Sequence, residues 1–176
     1  MPEQRPLLAV LIDADNTSPQ FFAAIFDEIA AHGEASVRRV YGDFSSSQMK
    51  GWSKVQAEFG LVPFHQPANT VGKNASDIAL VIDAMDLLHT GRFDGFVLVS
   101  SDSDFTRLAS RIREQGLDVY GIGQRKTPDA FRKACKRFIY LENIDTRTAT
   151  AEEKTTEKKA DTKAKPLTEA RDLIMK

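Results

Sequence analysis

The chain has 176 residues, 41% of them hydrophobic, enough for one domain of about 145 residues with its own core, and this excludes disorder for the bulk of it. Its 24 basic and 25 acidic residues nearly cancel, with a net charge of −3 over the first 145 residues and +2 over the last 31, which excludes wholesale electrostatic coating of a polyanion. The single cysteine, Cys135, excludes an intramolecular disulfide framework and a cysteine-based zinc site; with no apolar run of 18 residues and no leader pattern, the expectation is a cytoplasmic protein without a membrane span.

Short apolar runs alternate with helix-length amphipathic stretches. Residues 7–13 (LLAVLID) read as a first strand, followed by a helix over 19–31 that opens at Ser18-Pro19 and stops at Gly33. A strand over 36–41 leads to a helix over 47–59 closed by Gly60, then to a strand over 61–64 and a helix over 76–89 closed by Gly91. The strand over 95–100 (GFVLVS), a helix over 104–115 ended by Gly116, and a strand over 117–122 complete the pattern, with a helix over 128–133 and a last strand over 138–141. The runs around Leu7 and Phe96 are apolar on consecutive residues, as strands buried on both faces must be. The fold expected is a three-layer α/β/α sandwich with a mainly parallel central sheet.

After about Asp145 the composition changes. Residues 146–166 are Thr, Ala, Glu and Lys without apolar periodicity and read as a flexible linker. Residues 167–176 (LTEARDLIMK) regain helical spacing at Leu167, Ala170, Leu173 and Ile174, as a further C-terminal segment would at its start.

In a doubly wound sheet, ligands bind outside the carboxyl ends of the strands where the strand order reverses. The first strand ends in Asp13-Ala14-Asp15-Asn16-Thr17 and the fourth in Ser100-Ser101-Asp102-Ser103-Asp104; Asp77, in the first turn of a helix, would face the same edge. Taken singly, each aspartate is explained as well by capping or by a favourable place in a helix dipole. Convergence of Asp13, Asp77, Asp102 and Asp104 with the amide of Asn16 would require a cation, and hard oxygen ligands suit Mg²⁺ or Mn²⁺. Such an ion activates water and stabilises the charge developing on a phosphodiester. Asp15 either shares this face or caps the turn, and Asp83 and Asp86 read as solvated positions.

Basic residues recur along 125–137, where Arg125, Lys126, Arg132, Lys133, Lys136 and Arg137 face only Asp129. Arg125 and Lys126 follow a strand end at the acidic edge, and with Ser101 and Lys73 they are candidate substrate contacts; Lys136 and Arg137 fall nearer the sheet's other end. Tyr41 and Trp52 read as core more readily than as base-stacking platforms.

The segments LLAVLIDADN, GKNASDIALVIDAMDLL, DGFVLVSSDSDFTRLASRIREQGLDVYGIG and RKTPDAFRKACKRFIYLENI resemble, in order and over about residues 7–144, the bacterial NYN domains (limkain-type, LabA-like) of the PIN-like nuclease superfamily. The resemblance implies a PIN-like fold over residues 1–145 and metal-dependent cleavage of RNA. By matching position it implies Asp13, Asp77, Asp102 and Asp104 as metal ligands and Asn16 as their polar companion. Many relatives place a lysine as K-G-x-D, whereas Lys73 stands four residues before Asp77. Such domains are often followed by a linker and an OST-HTH (LOTUS) domain that binds RNA or protein partners, and LTEARDLIMK is similar to the start of one. Dimerisation would lengthen an RNA groove, but no pattern in the chain fixes it.

Two other functions compete with a metal-dependent ribonuclease. One is a non-catalytic RNA-binding, scaffold or regulatory module that keeps the acids for folding or for a structural metal. The other is a haloacid-dehalogenase-like phosphatase, since LLAVLIDADNT fits hhhhDxDxT with Asp13 as nucleophile, Asp15 as acid/base and Ser100 as strand-end hydroxyl; the lysine-plus-acid motif this class needs at a later strand end is missing.

Overall fold

The computed structural model describes residues 3–67 and 74–144. Six strands form one sheet in the order β3-β2-β1-β4-β5-β6: β1 (Leu7–Asp13), β2 (Glu34–Gly42), β3 (Val62–His65), β4 (Gly95–Val99), β5 (Asp118–Gly123) and β6 (Arg137–Tyr140). Every neighbouring pair is parallel, so the mainly parallel sheet expected is parallel throughout. The helices are α1 (Phe22–His32), α2 (Gly51–Phe59), α3 (Ala75–His89), α4 (Thr106–Glu114) and α5 (Asp129–Ala134).

Alternation along the central strands divides the core into two layers. From β1, Leu8, Val10 and Ile12 pack with Phe22, Ile25 and Ile29 of α1 and Trp52 of α2. Ala9 and Leu11 face the opposite layer, with Leu80, Ala84 and Leu87 of α3, Leu108 and Ile112 of α4, and Phe131 of α5. Both faces of the sheet are therefore covered, which is why β1 and β4 read as unbroken apolar runs. Tyr41 and Trp52 are buried at 1% and 0% exposure, as core residues rather than as exposed base platforms.

Two local departures have simple causes. The first helix begins as a 3-10 turn, Pro19–Phe21, and Ser18 makes no side-chain cap; the α-helix proper starts at Phe22. Gly60, Gly91 and Gly116 end their helices with positive φ, but Gly33 is extended. Gly33 is required by space instead, since a Cβ there would stand 2.6 Å from the Pro6 carbonyl oxygen and 2.9 Å from Leu8.

The order of the sheet reverses between β1 and β4. Ile12 pairs with Val99, so the residues that follow, Asp13 and Ser100, emerge side by side at the carboxyl edge.

Candidate functional site

Asp13 ends β1 at 1% exposure, and its Oδ2 accepts two hydrogen bonds, from Asn16 Nδ2 and from Ser100 Oγ, both at 2.8 Å. Its other oxygen, Oδ1, is buried with no hydrogen-bond partner. Burial raises the Asp13 pKa above the usual range, while the Asn16 and Ser100 hydrogen bonds pull it back and the charges of Asp15 and Asp102 push it up.

Ser100 connects the two strand ends. Its hydroxyl donates to Asp13 and accepts from the Asp102 amide at 3.1 Å, so one buried side chain sets both the β1 carboxylate and the start of the next loop. Asp102 caps the 3-10 turn Ser103–Phe105, its Oδ1 accepting from the Asp104 amide at 2.9 Å. The capping role therefore coexists with a place in the acid cluster. Behind this loop, β5 approaches so closely that a Cβ on Gly123 would stand 2.5 Å from the Ser100 carbonyl oxygen and 2.9 Å from Ser101 Oγ.

The third element is α3. Asp15, whose side was left open by the sequence, accepts from Ser76 Oγ at 2.6 Å through Oδ2 and from the Asp43 amide at 3.2 Å through Oδ1. It therefore ties the first turn of α3 to the ends of β1 and β2, and brings Asp77 to the edge. Asn74, just before the helix, donates to Asp104 Oδ2 at 3.3 Å.

Asp77, Asp102 and Asp104 each place a carboxylate oxygen within 4.8 Å of the others, a spacing able to hold a metal ion. Asp13 is not in that triangle but is coupled to it: the Asp77 pKa is pushed up to about 7, first by burial and then by the charges of Asp13, Asp102, Asp104 and Asp15. Oxygen donors alone, one of them buried and unpartnered, fit a hard divalent cation.

A cavity of about 700 Å³ opens on one side of the cluster, its lining including Asp15, Asn16, Trp52, Ser101, Asp102 and Lys126. On the other side lies a smaller groove of about 220 Å³ between Asp77, Asp104 and Phe105 and the α3 residues Ile78, Val81 and Ile82.

Residues 7–142 match the sequence model of the NYN domain. The chain belongs to the NYN family, in the PIN-like nuclease superfamily. A Vibrio parahaemolyticus protein of unknown function, VPA0982, shares the fold of this NYN domain, with a TM-score of 0.66 over 82% of this chain and 98% of the other; at 18% identity the likeness is one of fold. Among curated proteins none matches the chain significantly.

The NYN domain's remaining candidate residues are distributed unevenly. Ser101 lines the large cavity, its Oγ accepting from the Gln124 amide at 2.8 Å. Lys126 lines it too and is exposed, with no carboxylate partner among the described residues. Arg125 bonds Asn143 Oδ1 at 2.6 Å and lies over the Tyr140 ring. Lys73 falls outside the described residues, as do the expected linker at 146–166 and segment at 167–176. The basic stretch does not form one patch: Arg132 pairs with Asp129 and the Tyr140 hydroxyl, and Lys136 pairs with Asp118 at the amino end of β5.

Among the residues the sequence reading assigned elsewhere, Asp83 is corrected. It accepts from the Tyr41 hydroxyl at 2.7 Å and pairs with Arg39 at 3.3 Å, so it fixes α3 on the sheet and is not a solvated position; Asp86 is exposed as expected. Ser76, Asn74 and Ser100 join the site beyond the residues expected from sequence, Ser100 in place of the phosphatase hydroxyl role. A polar residue ending an apolar strand was the available signal for Ser100; Ser76 and Asn74 carry none apart from their neighbour Asp77.

Proposed function

We propose that this NYN domain is a ribonuclease that hydrolyses phosphodiester bonds in RNA with Mg²⁺ or Mn²⁺ held by Asp13, Asp77, Asp102 and Asp104. The observation that carries the proposal is the convergence of three carboxylates within 4.8 Å beside the buried, unpartnered Oδ1 of Asp13. Like charges so close raise one another's energy, and a bound divalent cation offsets that cost. When bound, the ion supplies water activation and stabilisation of charge on the phosphate oxygens.

The protein's own groups do the positioning. Asn16 and Ser100 hold Asp13 Oδ2, which leaves Oδ1 directed by geometry rather than by a hydrogen bond of its own. Asp15 holds Ser76 and thus the helix turn that bears Asp77. Lys126, Ser101, Lys73 and Arg125 are the proposed contacts to the substrate strand, with Lys126 in the large cavity as the cation free to meet a phosphate. The substrate proposed is single-stranded or structured RNA, because a duplex would have to enter a narrow acidic cleft. We propose also that residues 146–166 are a linker to a C-terminal OST-HTH segment for further RNA or a protein partner.

The phosphatase reading lacks the lysine-plus-acid motif it needs at a later strand end, since β5 closes in Gly121-Ile122-Gly123. The binding-module reading is separated by experiment. Labelled single-stranded RNA is incubated with Mn²⁺, Mg²⁺ or EDTA, using the parent chain and Asp13→Asn, with p-nitrophenyl phosphate as control. The proposal expects cleavage with either cation and background levels in EDTA and in the variant. Undiminished cleavage in EDTA or in Asp13→Asn contradicts the site; RNA bound but never cut makes the domain a binding module.

A further inference from the structure

The two hollows flanking the acid cluster differ in chemistry. The smaller one offers aliphatic and aromatic surface from Ile78, Val81, Ile82 and Phe105, and its one neutral polar side chain, Asn74, is already engaged with Asp104. Contact there carries no hydrogen-bond code. The larger one, at about 700 Å³, lies within the roughly 300–1,000 Å³ range of small-ligand sites. Asn16 and Asp102 belong both to its wall and to the acid cluster, so whatever fills it abuts the reacting phosphate.

Two side chains of that cavity, Gln124 and Lys126, suit the two parts of a nucleotide. Gln124 is fixed by its backbone, whose N–H donates to Ser101 Oγ at 2.8 Å and whose carbonyl accepts from Thr127 Oγ1 at 2.5 Å, while its side-chain amide has no partner among the described residues. Such an amide offers a donor and an acceptor side by side, the pattern that reads the edge of an unpaired base. Lys126 presents an exposed ammonium with no carboxylate partner among the described residues.

We propose that the large cavity is a nucleotide subsite that takes the residue on one side of the scissile phosphate, with Lys126 meeting its backbone and Gln124 reading its base, so that cleavage is base-selective at that position alone. The inference rests on the ribonuclease reading and adds to it a sequence preference on a single side. Phosphate contacts position a strand and base contacts specify it, which gives the two residues separable signatures.

The test is cleavage of a pool of single-stranded RNA oligonucleotides, randomised on both sides of a central phosphodiester, with Mn²⁺ and sequencing of the ends produced. The parent is expected to favour one or two bases about tenfold on one side of the cut and none on the other, the discrimination of a good base-edge contact. Gln124→Ala flattens that preference and Gln124→Glu, which replaces the donor by an acceptor, changes the base preferred; a merely structural role for Gln124 would not redirect the choice. Lys126→Ala weakens binding of all sequences alike and keeps the preference. Cleavage without base preference, or a preference untouched in both Gln124 variants, overturns the subsite and leaves the nuclease standing. Absence of metal-dependent cleavage for the whole pool overturns both.

Discussion

Asp13 and Asp77 are the same acid in different surroundings, and the difference predicts different behaviour on replacement. Folding raises the Asp77 pKa from its ordinary 3.8 to about 7, so between these values the folded state keeps a proton that the unfolded chain has released. The stability this proton represents is intact below about pH 4 and is lost as pH rises through about 7. Asp77→Asn removes the ionising group. At pH 8, with chelator present, the variant is therefore expected to melt higher than the parent by about 2–4 °C, the shift expected per kcal/mol in a domain of this size, while losing any stabilisation by Mn²⁺. Thermal melts of the two proteins with and without Mn²⁺ check both halves; a lower melting point for the chelated variant contradicts the account. Ser100 is expected to act in the opposite direction. Its removal leaves Asp13 Oδ2 with the Asn16 donor alone and the part-buried Asp102 amide without its acceptor, so Ser100→Ala is expected to cost about 1–3 kcal/mol in denaturant unfolding and, on the proposed function, to lower cleavage.

At the level of elements, α3 is set by two side-chain ties from distant parts of the chain. Ser76 meets Asp15 across 61 residues, and Asp83 meets Tyr41 across 42. Neither tie is visible from sequence, because a polar position on an amphipathic helix reads the same whether it faces solvent or a strand terminus. The elements themselves were legible: apolar runs at β1 and β4, terminating glycines after α2, α3 and α4, and carboxylates at two strand ends. What local pattern cannot supply is which face of β5 crowds Ser100, or that Arg132 is taken up by Asp129 and the Tyr140 hydroxyl. Removing the second tie tests the view of α3. Asp83→Ala strands the buried Tyr41 hydroxyl, and burial together with the Asp83 contact already holds that phenol well above its usual pKa. The variant is expected to lose about 1–3 kcal/mol in denaturant unfolding; an unchanged midpoint would return Asp83 to the solvated position the sequence suggested.

For the whole molecule, the parallel sheet brings its carboxylates to one edge because the strand order reverses between β1 and β4, and among the described residues Asp13, Asp77, Asp102 and Asp104 form no ion pair with a cation of the protein. The first 145 residues carry a net −3, so RNA is not drawn in by bulk charge. On the proposed function, recognition rests on a local site that a divalent cation would make hospitable to phosphate. Among the described residues no helix is long and apolar enough to cross a membrane.

The claim on which the rest depends is that the aspartates hold such a cation, and calorimetric titration with Mn²⁺ at pH 7, repeated in buffers of different ionisation enthalpy, tests it most directly. Metal binding is expected to displace a fraction of a proton from Asp77 per ion bound, to be reversed by EDTA, and to vanish in Asp102→Asn. Absence of Mn²⁺ binding in the parent, or binding of equal strength in Asp102→Asn, would contradict the account.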